Sequence, residues 1–191
     1  MRARIFRAAT ACIADVGFHR TSLAAVIDRA QVSQGALQHH FPTKLDLMAG
    51  VAGYLLDRSI RWFARIADKI EDDPCVFSAI ISRSWREVFQ SDENAALVEI
   101  LVASRTDADL RQRICPALTS WRDAVDRELA AIYPGEESRR ALKHKITISR
   151  AMMTGFVVQD VLLGADPTET IDYWSTLAMS RKSDPVKYDQ G

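Results

Sequence analysis

The sequence predicts an all-α protein: a small N-terminal module of three helices, one long connecting helix and a larger helical domain after it. Three observations carry this. Apolar residues recur at helical spacing in nearly every segment, no run alternates with period two, and one stretch from Thr43 to about Ile70 keeps a single apolar side without a breaker. At 191 residues the chain can hold one sizeable core, or a small domain joined to a larger one.

The first helix runs from about Arg2 to Val16, with Ile5, Ala9, Cys12, Ile13 and Val16 on one stripe and Gly17 as a left-handed cap before Phe18. The second spans about Ser22 to Ala30. Thr21 or Ser22 can accept from its first free amides, and Leu23, Val26, Ile27 and Ala30 make one apolar face. Gln31-Val32-Ser33 is a tight turn, after which Ser33 caps a third helix and Val32 staples against Leu37. On that helix only Ala36, Leu37 and Phe41 suit an inward position. Gln34, Gly35, Gln38, His39 and His40 are left for something outside. A glutamine amide pairs with an adenine edge, a glycine lets backbone approach phosphates, and imidazoles hydrogen-bond phosphate oxygens. The positive end of the helix dipole points the same way. The pattern is that of a helix-turn-helix reading the major groove of double-stranded DNA.

The fourth helix opens on Thr43 and Asp46, spaced as a capping box. Lys44 in its first turn opposes the helix dipole, a conflict that a DNA phosphate would resolve. Leu45, Met48, Ala52, Leu55, Phe63, Ile66 and Ile70 lie along one side. At ~1.5 Å per residue the helix spans roughly 40 Å, a strut between two domains. Further helices are expected at about Pro74 to Gln90, Asn94 to Arg105, Leu110 to Tyr133 with a break at Pro116, Glu137 to Leu163, and Thr168 to Lys182. From Ala151 to Leu163 the penultimate helix is apolar nearly all round, with Met153, Phe156 and Val157 on one side and Met152, Gly155, Val158 and Leu162 on the other. The last helix adds a stripe of Ile171, Trp174, Leu177 and Ala178. Such helices need cover on two faces, which predicts a symmetric four-helix contact in a homodimer. The competing expectation is a monomeric core that takes in both helices.

Composition agrees with a globular chain: 48% of residues are apolar and 26% charged. The net charge is zero, yet it is unevenly spread. Residues 1–50 carry six basic side chains (Arg2, Arg4, Arg7, Arg20, Arg29, Lys44) against three acidic ones (Asp15, Asp28, Asp46), so the module is basic and the remainder acidic. Cys12, Cys75 and Cys115 lie far apart with no zinc-site spacing, the pattern of reduced thiols in a cytoplasmic protein. No signal peptide is evident, and the most apolar stretch, Ala151 to Ala165, contains Gln159 and Asp160 and is too short to span a bilayer, so no membrane partner is expected. His19, His39 and His40 have no acidic or cysteine companion at metal-binding spacing, and no cofactor, nucleophile-elbow, Walker or dinucleotide motif is present. A non-enzymatic role is expected.

Residues 5 to 47 resemble the N-terminal signature of TetR-family transcriptional regulators, from Ile5 to Gly17-Phe18, through Thr21-Ser22 and Ala30-Gln31-Val32-Ser33-Gln34-Gly35-Ala36-Leu37, to His39-His40-Phe41 and Lys44. The resemblance implies an all-helical homodimer: residues 1–47 as the DNA-binding domain, 48–182 as a helical effector-binding and dimerisation domain, and 183–191 as a loose tail. By position it implies DNA contacts at Thr21, Ser22, Ser33, Gln34, Gly35, Ala36, Gln38, His39, His40 and Lys44. It also implies an effector cavity, for which Trp85, Phe89, Arg105, Trp121, Met152 and Gln159 are candidates, and a dimer face with Met153, Phe156, Val157, Ile171, Trp174, Leu177 and Ala178. The expected protein is a repressor on a palindromic operator, released by a small apolar or amphipathic effector. Two positions depart from the family: Gln31 stands where glycine is common, and Gln38 where an aromatic residue is usual. The second departure is what supports the alternative, a helical small-molecule-binding protein without sequence-specific DNA binding. Glu99, inside Ala96 to Ala103, is expected on a solvated face.

Overall fold

A computed structural model of the chain describes residues 1–67, 74–132 and 135–180. Among them there is no strand. The order is α1 (Arg2–Arg20), α2 (Leu23–Ala30), α3 (Gln34–His40), α4 (Lys44–Ala67), α5 (Pro74–Ser84) continued by a π-helical turn (Trp85–Phe89), α6 (Asp92–Ala103), α7 (Ala108–Ile132), α8 (Glu136–Leu163) and α9 (Thr168–Ser180). The expected helix ends at Ile70, Tyr133 and Lys182 and the tail 183–191 lie outside the described residues, as do the side chains of Cys75, Asp160 and Leu162.

α1 breaks where the sequence places the glycine. Gly17 takes φ 79° and ψ 169°, and the chain then makes one more turn to Arg20. The break ends the packed stripe early. Val16 stays 40% exposed, and Phe18 folds back to take the core position instead. α2 and α3 start on the expected caps: Ser22 Oγ accepts from the Ala25 amide at 3.1 Å and Ser33 Oγ from the Ala36 amide at 3.2 Å. The turn between them passes through Gln31 in the left-handed region, φ 50° and ψ 53°. That geometry explains why a glycine would suit this position. Arg4 steadies the turn by donating to the Gln31 carbonyl at 3.0 Å. α4 opens on the capping box, with Thr43 N–H donating to Asp46 at 3.0 Å and Asp46 N–H to Thr43 Oγ1 at 3.1 Å.

Two apolar cores form, and the first does not stop at residue 47. Ile5, Ile13, Val26, Leu37 and Leu47 join Val51 and Leu55 of α4, Ala96 and Ile100 of α6, and Leu110 and Ile114 of α7. A three-helix module of this size buries too little by itself, and α6 and α7 supply the missing floor. α4 approaches closely because position 50 is glycine: a Cβ there would sit 2.9 Å from the Phe41 ring and 3.1 Å from the Phe6 ring. Phe6 packs between Phe41 and Tyr54, at centroid distances of 5.4 and 5.2 Å.

The second core gathers Phe77, Ile81, Trp85, Val125, Leu129, Leu142, Met153 and Ile171. The expected break at Pro116 does not occur, since α7 runs through it. Pro116 is exposed, so the Gln112 carbonyl whose helical partner it removes faces water while Ile114 on the other side stays packed. The π-helical turn is likewise unexpected. Gln90 N–H reaches back five residues to the Trp85 carbonyl at 3.1 Å, which widens the turn beside the cavity described below. α9 closes on α5 and α8 through Ser175 Oγ to Ser78 Oγ at 2.8 Å, Ser82 Oγ to Asp172 at 2.8 Å and the Trp174 indole to Ser149 Oγ at 2.8 Å.

Candidate functional site

α3 stands clear of its own protein. Gln34, Gly35, Gln38, His39 and His40 are exposed, Ala36 is half-buried and Leu37 alone is buried among the α3 residues. The His39 and His40 rings meet edge to face at 5.3 Å. A Cβ on Gly35 would meet nothing within 4 Å, so no internal contact calls for glycine there. Among the described residues no group of three or more His, Cys, Asp or Glu is placed to hold a metal ion.

Two expected contact residues are engaged inside the chain. Thr21 is 1% exposed, and its hydroxyl donates to the Gly17 carbonyl at 2.8 Å. It closes the α1 break rather than facing outward; Ser22 alone of the pair is the cap. Lys44 Nζ donates to the Phe18 carbonyl at 2.8 Å and the His19 carbonyl at 3.1 Å, and lies 4.9 Å from the Phe18 ring centroid. The carbonyl end of α1 thus offsets the conflict with the α4 dipole from inside the chain. Burial lowers the Lys44 pKa.

That junction continues into the larger domain. The break at Gly17 frees the Phe18 amide, and Glu99 Oε2 of α6 accepts from it at 2.9 Å. Glu99 is exposed, as expected, yet it is bonded. Asp46 pairs with Arg113 of α7, and its carboxyl is held below the ordinary range first by the Thr43 hydroxyl and then by the Arg113 charge. Glu99, Lys44 and Asp46 together tie the end of α1 and the start of α4 to α6 and α7. Helix periodicity carried no signal for this. The positive-φ glycine was the one available clue that a free amide needed a partner.

Below the junction lies a cavity of about 240 Å³ walled by α4, α5, the π-helical turn, α6, α7 and α8. Its lining is mostly apolar, including Phe63, Phe77 and Leu101. Of the residues expected there, Phe89 and Trp121 line it. Trp85 is buried outside the lining, edge-on to Phe156 at 6.3 Å, and among the described residues its indole N–H has no partner. Arg105 lines a surface groove beside Phe18 and His19 instead. Met152 packs on the second core outside the lining, and Gln159 is exposed. Arg150 was missed by sequence reasoning. It lines the cavity with its guanidinium 4.9 Å from the Trp121 ring centroid.

The expected dimer stripes are divided by the fold. Met153 and Ile171 are 2% and 1% exposed and belong to the internal core. Phe156, Val157 and Ala178 pack against it half-buried, and Trp174 spends its indole N–H on Ser149. Left on the outside of α8 and α9 are Ile148, Val158, Leu163, Tyr173 and Leu177, between 42% and 74% exposed. Among the described residues, no helix is long and apolar enough to cross a membrane.

The family described as bacterial regulatory proteins, tetR family, matches residues 5–51. An uncharacterised HTH-type transcriptional regulator of Mycobacterium tuberculosis is 34% identical over 137 residues, 71% of this chain and 69% of that protein. The transcriptional regulator FadR of Bacillus subtilis, solved in complex with stearoyl-CoA, superposes with a TM-score of 0.68 at 20% identity, over 94% of this chain and 98% of that one. The multidrug binding protein EbrR, solved with ethidium, does so with a TM-score of 0.62 at 25% identity, over 93% and 96%.

Proposed function

Since the chain belongs to the tetR family of bacterial regulatory proteins, we propose that it is a ligand-responsive repressor that binds a palindromic operator as a homodimer and is released by a small effector. The observation that carries this is the shared use of α4 and α6. α4 packs the N-terminal helices through Val51 and Leu55 and walls the cavity further along through Phe63 and Ile66, and α6 does both from adjacent faces, with Ala96 and Ile100 in the first core and Val98 and Leu101 in the cavity lining. A ligand that fits one spacing of these helices better than another would shift the paired heads between binding and non-binding separations.

The α3 face then contributes base contacts through Gln34, with Gln38, His39 and His40 toward bases or phosphates and Ser22, Ser33, Gly35 and Ala36 bringing backbone close. The exposed apolar residues of α8 and α9 form the dimer face with their counterparts on a second copy. A cavity of mixed aromatic and aliphatic lining suits an apolar or amphipathic effector, as the ethidium complex of EbrR illustrates for one relative. The protein would act in the cytoplasm, where the operator is.

The test is binding of the purified protein to DNA flanking its own gene, at several salt concentrations and against scrambled competitor. Specific binding that weakens steeply with salt is expected. Gln34→Ala should lose about 1–3 kcal/mol of preference for that DNA while keeping the salt slope. Equal, weak binding to every sequence would instead favour a ligand-binding protein without an operator.

A further inference from the structure

Among the described residues lining the cavity, Arg150 is the one ionisable side chain, and no acid stands beside it. Its guanidinium lies over Trp121, whose own indole N–H is spent on Ser59 Oγ at 2.7 Å. The other polar side chains of the wall are also occupied within the chain. Ser84 donates to Ile80, Asn94 to Phe89, Thr154 to Arg150's own carbonyl, and Ser149 accepts from Trp174. Arg150 is exposed at the cavity wall it lines, and the protein atoms that crowd its guanidinium lower its pKa. An arginine does not shed its proton to escape such a place. A guanidinium at an apolar wall with no acid beside it is open to a counter-charge, and a ligand can bring one.

We propose that the cavity takes a small organic monoanion, a carboxylate with a compact arene or medium-length alkyl body, whose head pairs with Arg150 and whose body lies along the Phe63 and Phe77 side of the wall. One arginine balances one negative charge, so a dianionic phosphate head would leave charge unpaired. The planar guanidinium matches a carboxylate in two parallel hydrogen bonds. The volume of about 240 Å³ lies below the ~300 Å³ at which drug-sized sites begin, which favours a compact body over long chains and coenzyme-sized ligands. This assignment rests on reading the cavity as the effector site.

Octanoate and 4-propylbenzoate are titrated into the full chain beside their primary amides, with tryptophan emission and calorimetry as readouts, since Trp62 and Trp121 line the site. The wild type should bind the acids at least about tenfold more tightly than the amides, the scale of one charge-assisted pair. Arg150→Gln should abolish the preference for acid over amide, and Arg150→Lys should keep part of it. Equal binding of acid and amide to the wild type overturns the proposal, as does an Arg150→Gln variant that binds acids like the wild type. Failure of both acids to bind at millimolar concentration overturns it too. If Arg150→Gln does not fold, the wild-type comparison alone decides. Acid that binds but leaves operator DNA in place supports the anion site and sinks the effector role. Release by the amides as effective as by the acids overturns the anion site and leaves the regulator standing.

Discussion

At Gly35 the protein itself asks for nothing: no atom lies within 4 Å of where a Cβ would be, and the backbone is helical there. Alanine at this position is therefore expected to raise stability, by about 0.5–1 kcal/mol on helix propensity. If the space is kept for a DNA backbone, Gly35→Ala should at the same time weaken operator binding by tenfold or more. Thermal melting and operator titration on one preparation check both halves, and unchanged DNA affinity would remove Gly35 from the interface. Lys44 is the opposite case. Its expected partner was a phosphate; two of its three N–H groups are spent on the Phe18 and His19 carbonyls. Lys44→Met should lower the melting midpoint by about 2–4 °C and change the salt slope of DNA binding by less than one. A slope reduced by a full unit with an unchanged midpoint would restore the phosphate role. The serine caps were legible because capping is local, needing only residues three apart in sequence. Thr21 and Lys44 were not, because their partners lie on α1, reached only after the chain has turned.

At the scale of elements, α6 is what joins head to cavity. Its Ala96 and Ile100 sit in the first core, Leu97 and Leu101 face the cavity, and Glu99 holds the amide that Gly17 frees. Glu99→Ala should leave the overall helical content intact and speed hydrogen exchange of the Phe18 amide several-fold, with roughly 1 kcal/mol at stake for a bond that is partly solvated. Exchange as slow as in the wild type would mean that α6 does not hold the end of α1 in solution. The helices themselves were readable from periodicity within a residue or two at most ends. The misses were the π-helical turn and the unbroken passage through Pro116. Both depend on which side of the helix meets water, and a local pattern does not contain that.

For the whole molecule, the question is what covers α8 and α9. Each helix turns one face inward, through Met153 and Ile171, and keeps apolar residues outside, Val158 at 50% and Tyr173 at 69% exposure. The core takes one face of each helix, and the other is the face proposed for a second copy. Val158→Arg together with Tyr173→Glu should convert the protein to monomers in sedimentation at micromolar concentration, with operator affinity reduced at least tenfold as the two heads lose their linkage. A double variant that sediments like the wild type would place the interface elsewhere.

The sequence alone determined the all-α class, the helix-turn-helix with its two serine caps, the long fourth helix and the exposed polar face of α3. All of these follow from spacing along one helix or across one turn, and such information is carried by neighbouring residues. The tertiary structure decided that Arg150 and not Arg105 stands in the cavity, that Met153 and Ile171 are core, that Gly50 lets Phe41 and Phe6 meet α4, and that Glu99 takes the amide freed at Gly17. Each of these is a meeting between elements far apart in sequence. Periodicity tells that a helix has an apolar face, but only packing chooses which of several neighbours that face meets and which polar residue at its edge is left without a partner.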